Sequence, residues 1–131
     1  MERFYDVACD PKRMGALSLA FLGDAVFEVF VRERLVCQAD RPVSKQHHAA
    51  VEQVCAQAQA GFVRKLLPVL TPEEQEILRR GRNAHSNHVP KNSDPADYHA
   101  ATAFEALFGY LYLSGKLDRL RELFETVCGE D

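Results

Sequence analysis

Two carboxylates stand on helix faces that should be apolar. At 100° per residue Asp24 points within about 20° of Leu17, Val31 and Leu35, with Phe21 and Phe27 on its flanks. Glu28 follows one turn later on the same face. Glu105 is the only charged residue between Thr102 and Gly115, in a stretch, ATAFEALFGYLYL, that is apolar all round. Such a helix belongs at the centre of a fold, so its carboxylate is buried or lines a cleft. An unpaired buried carboxylate is costly, and each acid needs a compensating group. One solution is a separate buried arginine, histidine or backbone partner for each. The other is convergence: Gly23 adjoins Asp24 and Gly109 lies one turn after Glu105, and glycines inside helices permit close backbone approach. Helices crossing at those glycines would bring Asp24 and Glu105 together. Two hard oxygen ligands that repel each other suit Mg²⁺, with water and phosphate oxygens completing its shell.

A second chemical feature is the distribution of charge. The net charge is −3, from 16 Lys and Arg against 19 Asp and Glu. Between Ile77 and Ser93 there is no acid, whereas Arg79, Arg80, Arg82 and Lys91 are all basic. A basic segment on an acidic body is either a solvated loop or a phosphate-contacting surface. His85 and His88 lie within it, without a cysteine or acid nearby at zinc-ligand spacing, so added positive charge beside phosphate is their expected role. No GxSxG, P-loop, GxGxxG or HExxH pattern occurs, which removes the common hydrolase, nucleotide-cofactor and zincin readings.

The elements that must position these residues are all helical. With 131 residues and 47% hydrophobic content the chain suffices for one compact domain, residues 1–131, with its own core. Asp10 and Pro11 resemble a helix start leading into the apolar run from Leu17 to Val36. Ser44 is a plausible N-cap for a helix through Leu67, weakened inside by Gly61. Thr71-Pro72-Glu73-Glu74 is a capping box with proline in the first turn, and its helix should end near Arg80, where Gly81 can stop it. Residues 81–94 show no period and are rich in Asn, Ser, His and Gly, so they read as a loop. Ser93 or Asp94 before Pro95 opens the helix of Glu105, which stops at Ser114-Gly115. A last amphipathic helix places Leu117, Leu120, Leu123, Phe124 and Val127 on one face. The expected fold is an all-α bundle of five helices, or six if the N-terminal part divides.

No apolar run reaches the length of a membrane span. The cysteines, at 9, 37, 55 and 128, have no metal-ligand spacing and read as reduced thiols packed as small hydrophobes. With no secretory signal at the start, the expected location is cytoplasmic.

Taken whole, LSLAFLGDAVFEVFVRERL (17–35) resembles the signature helix of the ribonuclease III family through Phe21-Leu22-Gly23-Asp24. TAFEALFGYLYL (102–113) resembles the family's second acidic helix, with Glu105 on the metal-binding glutamate. The segment from Arg79 to Leu113 is similar to the Mini-ribonuclease III branch, which lacks a double-stranded-RNA-binding domain. The resemblance implies a compact helical endonuclease-domain fold, a homodimer and Mg²⁺-dependent cleavage of double-stranded RNA. For the branch it further implies maturation of large-subunit (23S) ribosomal RNA precursor ends. It makes Asp24 and Glu105 catalytic and metal-binding, and Arg80, Arg82, Asn83, His85, Lys91 and Asn92 the RNA-contacting set within the 81–94 insertion and its approach. Phe21 becomes the dimer contact. Leu17 and Ala20 stand where the wider family has glutamates and Thr102 where it has an aspartate, departures that the branch shares. His85 replaces a usual lysine and His99 a usual arginine. Two other readings remain open: a non-catalytic double-stranded-RNA-binding module of the same fold, and a helical protein-interaction domain whose acids satisfy buried arginines.

If His85 and His88 face RNA, duplex affinity rises between about pH 7.5 and 6, where free histidines gain a proton. Filter binding across that range checks this, and a flat curve removes both histidines from the RNA surface.

Overall fold

A backbone-to-backbone helix crossing organises the chain. In the computed structural model, which describes residues 3–84 and 89–129, the elements are six α-helices with no strand among the described residues. They are α1 (Ala16–Gln38), α2 (Val43–Val54), α3 (Ala56–Leu66), α4 (Pro72–Asn83), α5 (Pro95–Leu113) and α6 (Leu117–Cys128). Helix α5 is the axis of the bundle: α1, α3, α4 and α6 all pack on it. Ten of its residues between Ala101 and Leu111 are buried, as its all-round apolar sequence requires.

Helices α1 and α5 meet where neither has a side chain. A Cβ on Gly23 would overlap the carbonyl oxygen of Glu105, and a Cβ on Gly109 would overlap that of Leu19. Aromatic rings fix the rotation of the two helices around this contact. Phe27, one turn beyond Gly23, lies 4.9 Å from Phe104 and 5.4 Å from Phe108 in edge-on geometry, and 5.9 Å from both Phe62 of α3 and Phe124 of α6. Edge-to-face packing at these separations is the favoured arrangement for aromatic pairs.

Several expected boundaries hold. Thr71 and Glu74 form the reciprocal capping box, with Glu74 N–H donating to Thr71 Oγ1 at 3.2 Å and Thr71 N–H to Glu74 Oε1 at 2.9 Å. Asp94, rather than Ser93, caps α5 by accepting from Ala96 N–H at 2.9 Å. Gly115, at φ 72°, makes the turn after α5. Glu74 does more than cap: buried on α4, it accepts from Arg119 of α6 at 2.8 and 2.7 Å and so ties those helices together.

Others differ, each for a physical reason. Asp10 and Pro11 open only a one-turn 3₁₀ helix, Pro11–Arg13, and α1 begins separately after Gly15. Ser44 lies inside α2, whose N-cap is Pro42. The expected helix 44–67 is broken not at Gly61 but at Cys55, whose extended ψ of 158° ends α2 and starts α3 in a new direction. Gly81 does not stop α4, which runs on to Asn83. Its missing side chain serves packing instead, since a Cβ there would lie 2.7 Å from the Cα of Ala103 on α5. The four cysteines are free, but Cys37 and Cys55 are exposed, so only Cys128 is packed as a buried hydrophobe.

Glycines of different duty should answer differently to alanine. Gly23→Ala forces α1 and α5 apart and should cost about 3 kcal/mol or more, the upper range for overpacking. Gly61→Ala meets only the end of Arg64, at 3.6 Å. It should stabilise the protein by about 0.5–1 kcal/mol through helix propensity. Urea denaturation of both variants checks the contrast.

Candidate active site

The two carboxylates converge. With Gly23 and Gly109 in contact, the residues beside them, Asp24 on α1 and Glu105 on α5, bring their carboxyl groups within hydrogen-bonding reach of each other. Glu105 is half-buried between the helices. Burial and, secondarily, the negative charge of Asp24 push its carboxyl up to about 8. Among the described residues no ion pair joins an arginine to Asp24 or Glu105, and of the two arrangements the sequence left open it is convergence that occurs.

Asp24 itself is exposed, not embedded in the core as its helical-wheel position suggested. The buried stripe of α1 follows Leu19, Gly23, Phe27, Val31 and Leu35 at four-residue spacing, because the glycine must face α5. Asp24 and Leu17 therefore fall at the rim, and Phe21 projects outward with 84% of its surface exposed. The site opens on that side. Glu28 belongs to a different arrangement, accepting from Arg32 at 2.8 Å on the helix surface.

A third polar side chain adjoins the pair. Gln59 of α3 is wholly buried, and among the described residues neither its amide nitrogen nor its amide oxygen has a hydrogen-bond partner. Its amide lies beside Glu105 and favours the ionised carboxyl, yet at a geometry short of a made bond. Sequence reasoning missed this residue. The signal was present, because Gln59 sits four residues before Val63 on the apolar stripe of α3, as anomalous there as Glu105 is on α5.

The basic residues gather at one end of α4 and the chain beyond it. Arg80 is in the helix as expected, and Arg82 and Asn83 are in its last turn rather than in the loop that was expected from 81. Arg80 is partly committed, donating from Nη2 to the Met14 carbonyl at 2.8 Å. Arg82, Asn83, Lys91 and Asn92 are exposed. His85, like His88, lies outside the described residues. His99 is half-buried in the second turn of α5, its ring 6.0 Å from that of Tyr98. Thr102, where the wider family has an aspartate, donates its hydroxyl to the Tyr98 carbonyl at 3.1 Å and adds no charge. A cavity of about 890 Å³ lies elsewhere, between α1 and α6, and includes none of Asp24, Gln59 and Glu105.

No cluster of three or more His, Cys, Asp or Glu side chains placed to hold a metal occurs among the described residues. The donor set is two carboxylates, hard oxygen donors of the kind Mg²⁺ takes when water and phosphate fill the rest of its shell. The like-charge strain on Glu105 and the orphaned Gln59 amide both fit a site that is completed by a cation.

The class these observations define is an all-α domain with a pair of carboxylates at a glycine crossing of two helices. Comparison with known proteins agrees. The family model described as ribonuclease III domain matches residues 17–116. The chain is 48% identical over 119 residues to Mini-ribonuclease 3 of Symbiobacterium thermophilum, covering 91% of this chain and 92% of that one. It is 49% identical over 124 residues to Mini-ribonuclease 3 of Gloeobacter violaceus, covering 92% and 89%. A crystal structure of a protein from Fusobacterium nucleatum superposes with a TM-score of 0.85 at 27% identity, covering 93% of this chain and all of that one. The chain thus belongs to the ribonuclease III family, in its Mini-ribonuclease 3 branch, and is an endoribonuclease.

The raised proton affinity of Glu105 has a thermodynamic signature. Its folded value near 8 exceeds the ordinary 4.5 of the unfolded chain. Between those values the folded state holds more protons, so the Glu105 contribution to stability falls as pH rises through the window and is fully unfavourable above about pH 8. In chelator, the melting temperature of the wild type should therefore drop relative to Glu105→Gln between pH 6 and 9. Parallel profiles would show that Glu105 carries no such strain.

Proposed function

We propose that this chain, acting as a single catalytic domain, is a Mg²⁺-dependent endonuclease for double-stranded RNA that works as a homodimer in the cytoplasm on large-subunit ribosomal RNA precursors. The observation that carries the reading is the forced proximity of Asp24 and Glu105 at the open edge of the α1–α5 crossing. Family membership supports the activity class, and the branch resemblance supports the precursor as substrate.

Asp24 and Glu105 would hold the cation, and when bound it supplies a water of lowered pKa and neutralises charge on the leaving oxygen. The remaining work falls to the protein's own residues. The glycine crossing fixes the two carboxylates before substrate arrives, so no reorganisation is needed at the moment of reaction. Exposure of Asp24 leaves one side of the pair accessible to a phosphodiester, while burial of Glu105 keeps bulk water from the other. Arg82 and Lys91 would contact phosphates, with Arg80 contributing what its Met14 bond leaves free. Asn83, Asn92 and His85 supply donors for phosphate or 2′-hydroxyl groups. Such contacts recognise A-form geometry through its wide minor groove more than sequence.

One small domain makes few phosphate contacts, and symmetric pairing doubles them while setting two sites against opposite strands. Phe21 supports that pairing: a large aromatic residue 84% exposed on the helix that carries Asp24 has no stabilising role within its own chain.

Two variants test the reading. With a long RNA duplex and Mg²⁺, Asp24→Asn should abolish cleavage while retaining duplex in a gel-shift assay. Lys91→Ala should cleave slowly, with weaker binding for all duplex sequences and a salt slope reduced by about one. Cleavage by neither wild type nor Asp24→Asn, with binding kept by both, would favour the non-catalytic duplex-binding module of the same fold.

A further inference from the structure

The amide of Gln59 is an expensive thing to leave unused. A buried amide without partners costs about 1–3 kcal/mol, and native proteins retain few of them. Here both polar atoms of one side chain are orphaned among the described residues, at 0% exposure, on a helix that packs directly on α5. Burial of the rest of α3 does not require an amide there: Ala60, Val63 and Leu66 are apolar. Gln59 lies one turn after the break at Cys55, on the buried side of α3, and the group it adjoins is Glu105.

We propose that Gln59 is a positioning residue of the cation site, its carboxamide nitrogen donating to the Glu105 carboxylate and holding it in place opposite Asp24. This rests on the reading of Asp24 and Glu105 as cation ligands and extends it to a third helix. In the structure Glu105 engages Asp24, and the Gln59 N–H groups are left over. A carboxylate has two oxygens with several acceptor sites, so Glu105 can turn one oxygen toward Asp24 and a shared cation and offer the other to the Gln59 nitrogen, which satisfies the orphan. Gln59 suits this role because a neutral donor steadies a carboxylate without competing for its charge, as a lysine or arginine would. Partners that orient ligating groups in this way typically contribute 10–100-fold to metal affinity.

The test measures binding of Mn²⁺ alone to the full chain by electron paramagnetic resonance, with no RNA present, beside melting temperature in chelator. Gln59→Met is close in volume and removes the amide. It should weaken Mn²⁺ binding by about tenfold or more, while the melting temperature in chelator stays level or rises because a buried orphan is gone. Gln59→Asn keeps polarity but withdraws the amide by one methylene and should lose affinity in the same direction, so the test survives if the methionine variant fails to fold. Wild-type Mn²⁺ affinity in either folded variant overturns the proposal. A fall in melting temperature with unchanged affinity also overturns it and assigns Gln59 a packing role. Failure of the underlying reading looks different: the wild type and Asp24→Asn would then bind Mn²⁺ equally poorly, and the Gln59 proposal would fall with it.

Discussion

A carboxyl group half-buried against a second one by a rigid helix crossing is the constraint from which the site follows. Left to itself, a flexible loop carrying Asp24 and Glu105 would separate them. The rigid crossing of α1 and α5 does not allow it, and the result is a carboxyl raised to about 8 at the edge of an otherwise apolar bundle. The folding energy comes from elsewhere, chiefly the aromatic cluster around Phe27 and the buried face of α5. That separation of labour is common where a site stores strain: the core supplies stability, and the functional residues draw on it.

The surrounding helices serve this arrangement in different ways. Helix α4 packs on α5 through Gly81, which sets its basic end at a fixed distance from the carboxylates, and the Glu74–Arg119 pair anchors its other end to α6. Tyr110 adds a second tie on that side, donating to Glu73 at 2.7 Å. The arginines of α4 are thus held on a helix clamped at both ends. A loop bearing the same residues would keep orientational freedom that the clamped helix has already lost.

How legible this was in the sequence varied with the physical scale of each feature. Local chemistry read cleanly: Thr71 and Glu74 cap as their spacing implies, and α5 is central because every face of it is apolar. Glycines near both acids raised the convergence of Asp24 with Glu105 as one of two arrangements, and only the helix crossing decided between them. What failed required knowing which face meets which neighbour. A wheel that treated Leu17 as core placed Asp24 inside, whereas the contact through Gly23 turns α1 so that Asp24 stays at the rim. Gly81 looked like a helix stop because its conformational freedom was weighed and its small size was not. Cys55 carries no propensity signal strong enough to announce a break, so the turn into α3, and with it the inward aim of Gln59, emerges only from tertiary packing. Membership of the Mini-ribonuclease 3 branch was legible from the joint pattern of the two acidic helices and the segment between them, which no single motif carried.

The glycine crossing also behaves as a fulcrum. Asp24 adjoins the point where α1 touches α5, and Glu105 supplies the carbonyl that the Gly23 backbone meets. When the far ends of these helices swing, the displacement grows with distance along each rod and is smallest at the bearing point. The spacing between the two acids is therefore the last dimension to change as the bundle flexes. The separation of these two carboxyl groups is fixed by the crossing itself rather than by whatever holds the distant ends of either helix.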